Sequence, residues 1–333
     1  MNRSSKALLA AAGIAAFAFS PAYALEEINP ATQPGVLIGA SAGVPPPGIY
    51  MFNQVFTNQN NLSGPGTNGK TNIGLHSEVD VQGFLFVPGW TFLGGTYDAV
   101  IAQPWVDASV GTPINAQLSG LFDTFIVPIE LSWKLWNSGF QFKTGLGMYV
   151  PDGTKTGVLG TGNVGQPWWT FQPEAILSYL KDGWNLSAAV YAEFNTANTV
   201  THYTSGDVLH ADFTATKTIG KWTFGPVASF WGQVSNDSCP ASCVAVYGTN
   251  QALLNANSSS VWAVGALLGY DFGPANVSVW ATQQVSAKAS NAAAIQAGLP
   301  DGSLVDGGTT VFATLSYRIW APDAPAQPAM YHK

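Results

Sequence analysis

Charge is what this sequence has least of. Only 9% of its 333 residues are Asp, Glu, Lys or Arg, against about 25% in an average soluble domain. A soluble surface needs more, so the shortage argues for a chain partly covered by lipid. Basic residues are not clustered and the formal net charge is −7, which makes nucleic acid an unsuitable partner. Beyond the N-terminus no segment offers the roughly 18 to 20 consecutive apolar residues of a spanning helix, so any crossing of a membrane must use strands. Cysteine is limited to Cys239 and Cys243, in the run Ser238-Cys239-Pro240-Ala241-Ser242-Cys243. In an exported chain that run reads as a small disulfide at a loop tip, with too few ligands nearby for a metal. The chain lacks G-x-S-x-G, H-E-x-x-H, C-x-x-C and P-loop motifs, so neither an enzyme nor a cofactor is expected.

Residues 1–24 read as a secretory signal peptide: Arg3 and Lys6, an apolar stretch from Ala7 to Phe19, then Ala22-Tyr23-Ala24 as a small-residue cleavage site. Their removal takes two bases and no acid, leaving 10 basic against 19 acidic residues, a net charge of −9. Residues 25–47 are mixed and rich in Gly and Pro, and are expected to be a periplasmic extension or a plug. Residues 48–320 are expected to form the folded body, and 321–333 a disordered Ala/Pro-rich tail.

What the body does contain is period-two alternation. In Phe140-Gln141-Phe142-Lys143-Thr144-Gly145-Leu146-Gly147-Met148-Tyr149, Phe140, Phe142, Leu146 and Met148 fall on one face and Gln141 and Lys143 on the other. Tight-turn residues stand at Pro88-Gly89-Trp90, Asn137-Ser138-Gly139, Lys181-Asp182-Gly183, Gly220-Lys221 and Gly273-Pro274-Ala275. Between them lie longer polar stretches near 58–74, 110–120, 151–167, 196–206, 235–258 and 289–308. Short turns alternating with long loops predict an all-β, antiparallel up-and-down transmembrane barrel of twelve strands, or fourteen if the stretch 91–109, broken by Pro104, is two. Outer-membrane lipid is then a partner, and nothing in the sequence fixes the oligomeric state.

The alternation also assigns faces. Tyr97, Ile101, Phe125, Val127, Ile129, Leu131 and Trp133 would meet lipid, with the corresponding rows of the strands containing Trp184 to Phe194 and Val311 to Ile319. The lumen would be lined by Glu78, Asp80, Asp98, Glu130, Lys134, Lys143, Glu174, Glu193, His210, Asp212 and Arg318. Segregation of ionisable residues is required of a barrel, because Lys or Arg at the lipid midplane costs about 2 to 4 kcal/mol. Trp90, Trp136, Trp168, Trp169, Trp184, Trp222 and Trp320 fall at predicted strand ends, where interfacial girdles sit. Inside the lumen, carboxylates and bases either pair into a network that stiffens the wall or set what passes. His210 and Asp212, two apart on one face, would with a serine make a hydrolase-like set, which gives a rival reading as an outer-membrane lipid hydrolase. A third reading is a structural or adhesive barrel that works through its external loops.

Four motifs carry a resemblance. Pro45-Pro46-Pro47-Gly48-Ile49-Tyr50, Gly120-Leu121-Phe122-Asp123, Pro151-Asp152-Gly153 and Tyr203-Thr204-Ser205-Gly206-Asp207 resemble turn and strand-opening signatures of the outer-membrane proteins named for the meta-pathway of phenol degradation. The similarity runs over about residues 40–320, with Phe122 standing where the family pattern would have a second glycine. It implies a porin-like channel in the bacterial outer membrane for passive uptake of small hydrophobic or aromatic solutes, with a general porin as near neighbour.

Overall fold

The computed structural model describes residues 30–62, 73–111, 116–155, 164–238, 240–243, 257–291 and 308–322. The leader 1–24, Cys239 and the tail beyond Pro322 therefore lie outside the described residues. Fourteen strands run in chain order: β1 (Gly48–Leu62), β2 (Ile73–Val87), β3 (Thr91–Phe92), β4 (Gly95–Val110), β5 (Ala116–Leu121), β6 (Thr124–Lys134), β7 (Phe140–Val150), β8 (Thr170–Lys181), β9 (Trp184–Asn195), β10 (Val208–Ile219), β11 (Trp222–Gln233), β12 (Asn257–Asp271), β13 (Ala275–Asn291) and β14 (Gly308–Trp320). Twelve of them make one antiparallel barrel, closed where β1 pairs with β14 from Ile49↔Trp320 to Asn60↔Gly308. Closure leaves no unpaired edge, the condition for strands in lipid. The two extra strands are accessory. β3 only lengthens a hairpin into β4, and β5 folds back on the outer half of β4 from Trp105↔Leu121 to Val110↔Ala116. The stretch around Pro104 is thus one strand of the wall.

All five short turns form where the glycines predict them, with Gly89, Gly139, Gly183, Gly220 and Gly273 at positive φ. Exposed side chains on β8, β9 and β14 are Phe171, Leu177, Leu186, Val190, Phe194, Val311 and Leu315, an apolar outer belt. Trp90, Trp136, Trp184, Trp222 and Trp320 ring the periplasmic end, exposed as a girdle requires. Trp168 is not one of them: it is 4% exposed, while its neighbour Trp169 is 39% exposed.

Two expected face assignments are corrected. Phe125 packs on the inward Tyr149 with ring centres 4.7 Å apart, and Val127 is 2% exposed. The cause is a break in the β6–β7 register between Ile126 and Ile129, at Pro128. Proline has no N–H to donate, the ladder slips by a residue there, and the side chains before it change faces.

The external rim is pinned by the same motifs that carried the resemblance. Asp123 accepts from the backbone N–H of Gly153 (2.9 Å) and Gln166 (3.0 Å), and Asp152 accepts from Thr124 N (2.8 Å) and Oγ1 (2.7 Å). Leu121 N donates to Thr154 Oγ1 at 2.9 Å. Further round, Gly206 N donates to Asp237, and Asp207 is joined to Ser235. Cys243, beside this second clasp, is disulfide-bonded.

Burial pushes the Asp123 carboxyl up to about 7, against the opposing pull of its two backbone donors, and pushes Asp237 up as well. A folded-state pKa above the unfolded value means that the fold favours the protonated acid. That contribution is fully present below about pH 4 and is lost as pH rises through about 7. Thermal unfolding followed by circular dichroism should therefore show a midpoint that falls between pH 5 and 8. Asp123→Asn should flatten the part of that fall centred near pH 7, and an unchanged slope would count against the burial of this carboxyl.

Candidate functional site

Tight backbone turns carry residues 34–39 back and forth: Val36 N donates to Gln33 O, Ile38 N to Gly35 O and Ala40 N to Leu37 O. Gly35 (φ 90°) and Gly39 (φ 87°) supply the left-handed conformations these turns need. The result is a strap that leaves the N–H groups of Ala31, Thr32, Gly35, Leu37, Gly39 and Ala42 for acceptors outside it.

Acidic side chains of the wall receive them. Glu193 on β9 accepts from Ala31 N at 2.9 Å through one oxygen and from Thr32 N at 2.7 Å through the other. Asp212 on β10 does the same for Gly35 N and Leu37 N, both at 3.0 Å. Below them Thr214 Oγ1 accepts from Gly39 N (2.8 Å) and Ser178 Oγ from Ala42 N (2.8 Å). From the opposite side Trp280 Nε1 donates to Gly35 O (3.1 Å), Gln54 to Val36 O (3.3 Å) and Asn58 to Gln33 Oε1 (3.2 Å). Ser132 Oγ closes the far end on Ala42 O. With Tyr149 OH on β7 2.9 Å from Thr32 Oγ1, bonds reach the strap from β1, β6, β7, β8, β9, β10 and β13.

Apolar contacts follow the same path. Ile38 is buried with Phe56, Val79, Val227, Leu267, Trp280 and Phe312, while Leu37 packs against Ile176 and Ala189. Trp280 and Phe312 are stacked at 4.9 Å, with Phe56 5.2 Å from Phe312. The strap therefore has a greasy side and a chelated side.

Beside the strap lies a second buried polar cluster. Lys143 Nζ bridges Asp98 Oδ2 (3.1 Å) and Glu130 Oε2 (3.0 Å), all three buried. Strand register places Glu130, Gly145 and Glu174 side by side on β6, β7 and β8. A Cβ at Gly145 would stand 2.9 Å from Glu130 Cγ and 3.4 Å from Glu174 Oε1, so only glycine lets these acids come together there. Gln172 joins Glu174 (3.4 Å) to Thr32 of the strap.

The expected lining residues divide. Asp98, Glu130, Lys143, Glu174, Glu193, His210 and Asp212 are buried, and all but His210 hydrogen-bond the strap or one another directly or through Gln172. Lys134 and Arg318 are exposed at the periplasmic end, where Arg318 donates to Pro47 O and lies over the Tyr50 ring. Glu78 and Asp80 are a correction. They share the outward row of β2 with Phe84 and Phe86, while Val79 and Val81 turn to the core. Asp80 there accepts from Asn53 (2.5 Å), and Glu78 meets His76 (3.4 Å).

The pairing of His210 with Asp212 is corrected too. Both Asp212 oxygens are occupied by the strap, and His210 instead has Nε2 3.1 Å from Glu193 Oε1. That contact is one of proximity: the imidazole lies flat on Tyr191 (4.5 Å, 8°), and neither ring nitrogen has an aligned hydrogen bond. Sequence reasoning did not find the Thr32, Gly35 and Gly39 contacts, whose only signal was a Gly/Pro-rich stretch.

Among solved structures, the COG4313 outer membrane channel from Pseudomonas putida F1 is similar to this chain at a TM-score of 0.65 and 10% identity, over 86% of this chain and 99% of that one. The β domain of the Bordetella autotransporter BrkA scores 0.45 at 14% identity, over 82% and 100%. The TodX monoaromatic hydrocarbon channel deltaS2 mutant scores 0.40 at 10%, over 87% and 93%. No curated protein matches the chain. A sequence match over residues 56–297 covers most of the barrel, and by it the chain belongs to the family described as putative MetA-pathway of phenol degradation.

Proposed function

We propose that this chain is a passive channel of the bacterial outer membrane for small hydrophobic or aromatic solutes, in which the strap 30–47 closes the lumen at rest. The observation that carries the reading is the chelation of four strap N–H groups by Glu193 and Asp212 beside an apolar seat for Ile38. Twelve strands lie between eight, whose interior side chains fill, and sixteen, which leave an open aqueous pore. A single segment is therefore enough to occupy the remaining width, and its displacement enough to open a path. The wall that path would follow is apolar along Phe56, Val227, Leu267 and Phe312, which suits a ring better than an ion. The channel of like fold from Pseudomonas putida F1 fits the reading. A general porin differs from it only in lacking selectivity.

Catalysis has no place in this proposal. The acid that a hydrolase would set beside His210 is turned to the strap instead.

Two outcomes are expected in planar bilayers. The mature chain should show rare, brief openings, and removing residues 25–42 should give steady conductance. Glu193→Gln combined with Asp212→Asn should raise the open fraction about tenfold or more, since hydrogen bonds to charged groups contribute about 1.5 to 3 kcal/mol each. Identical traces from the intact, truncated and doubly substituted chains would sink the closing role of the strap.

A further inference from the structure

By lying where it does, the strap marks out a space in the barrel and the chemistry that space accepts. Residues 35–38 are bounded by Gln54 and Phe56 on β1, Asp212 on β10, Leu267 on β12, Trp280 on β13 and Phe312 on β14. The contacts are close. Ile38 is buried among Phe56, Leu267, Trp280 and Phe312, and a Cβ added at Gly35 would stand 3.6 Å from the Phe312 ring. One side of the space is therefore apolar. The other is the Asp212 carboxylate, which holds Gly35 N and Leu37 N at 3.0 Å on separate oxygens, with Tyr191 OH as a third donor at 3.3 Å.

Glu193 repeats the pattern nearer the outside. It stands two residues from Asn195, the external end of β9, and takes Thr32 N (2.7 Å) and Ala31 N (2.9 Å) on separate oxygens. Two N–H groups on the two oxygens of one carboxylate is the arrangement that a guanidinium or amidinium fork makes. The strap makes it twice with neutral amides. It thus supplies the hydrogen bonds but not the charge. Among the described residues neither acid forms an ion pair with a Lys or Arg, and Lys143 is held by Asp98 and Glu130.

Two more groups beside the strap lack a donor. Asn58 uses Nδ2 to hold Gln33, and its Oδ1 is buried with no partner among the described residues. His210 is wholly buried with Nε2 3.1 Å from Glu193 Oε1, yet neither ring nitrogen has an aligned hydrogen bond. In either neutral tautomer one of those nitrogens is an acceptor left without a donor. The wall around the strap is therefore rich in acceptors and short of donors and of positive charge.

We infer that the strap stands in for an organic cation, and that the seat formed by Asp212 and Glu193 binds a guanidinium or amidinium carrying a small apolar body. The fork takes one carboxylate in place of two strap N–H groups. The body takes the place of Ile38 against Phe56, Leu267 and Phe312. A solute arriving from outside meets Glu193 first, so binding releases the strap from its outer end. The cation prevails at an acid because it brings the same two donors together with the charge that the strap lacks. The inference rests on the closing role proposed above and names the class of solute that opens the path.

Planar-bilayer recordings of the full mature chain with isopentylguanidinium, its neutral isostere isopentylurea and the anion 4-methylpentanoate test the seat. At equal concentration the cation should raise the open fraction about tenfold more than the urea, and the anion should not raise it. With Glu193→Gln and Asp212→Asn combined, cation and urea should differ by less than about twofold. Equal responses to cation and urea in the unsubstituted chain, or a preference that survives the double substitution, would overturn the seat. If the double variant fails to fold, the three-solute comparison and the loss of preference in either single variant still decide. Calorimetric titration of the same chain in detergent separates this from the broader reading. Steady conductance on removing the strap, with no preference for the cation in titration or recording, keeps the gated channel and removes the seat. A cation preference in titration that the double substitution abolishes, in a chain that never conducts, keeps the seat and removes the channel.

Discussion

The rest of the molecule depends on two buried carboxylates that, among the described residues, form no ion pair with a Lys or Arg. Glu193 and Asp212 sit inside a barrel of low charge, where an unpaired anion is costly. Each is satisfied by a pair of backbone N–H groups from residues 31 to 37, with His210 and Tyr191 as flanking contacts. The dependence is mutual. Without the acids the strap has buried amide groups with no acceptor, and without the strap the acids are stranded in the wall. Hydrogen bonds to the two acids and the apolar seats of Ile38 and Leu37 together tie the strap to the interior without adding a cation.

The wall is built to present that seat. Closure of β1 on β14 fixes the lumen width, and the glycine at 145 lets the acids of β6 and β8 approach across β7. At the external rim Asp123 ties Gly153 to Gln166, and Asp152 holds the start of β6 at Thr124. The family motifs thus stabilise the rim, while the residues that contact the strap come from the strands between them.

Much of this was legible in the sequence. Strand number and turn positions followed from glycine-marked reversals and from period-two alternation, both set by local chemistry. Alternation also selected Asp98, Glu130, Lys143, Glu174, Glu193, His210 and Asp212 as interior. It failed where something non-local shifts the phase. Pro128 slips the ladder and turns Phe125 and Val127 inward, and no pattern of polarity in Phe125 to Trp133 reveals it. On β2 the polarity rule itself misled, because Asn53 accommodates Asp80 on the outer face and Val79 completes the core. The pairing of His210 with Asp212 failed for a different reason: proximity along a strand does not say which acceptor a third segment claims. Residues 30–47 have neither strand nor helix periodicity, so their path is set by partners distant in sequence as well as near, from the 18 residues between Val36 and Gln54 to the 177 between Gly35 and Asp212.

Amide hydrogen exchange on the mature chain in lipid nanodiscs, read by mass spectrometry on peptides covering residues 30–42, tests the central claim most directly. A strap chelated by Glu193 and Asp212 predicts slow exchange at Ala31, Thr32, Gly35, Leu37, Gly39 and Ala42, comparable to that of β9 and β10. Exchange of that peptide within seconds, at the rate of an unstructured chain, would contradict it.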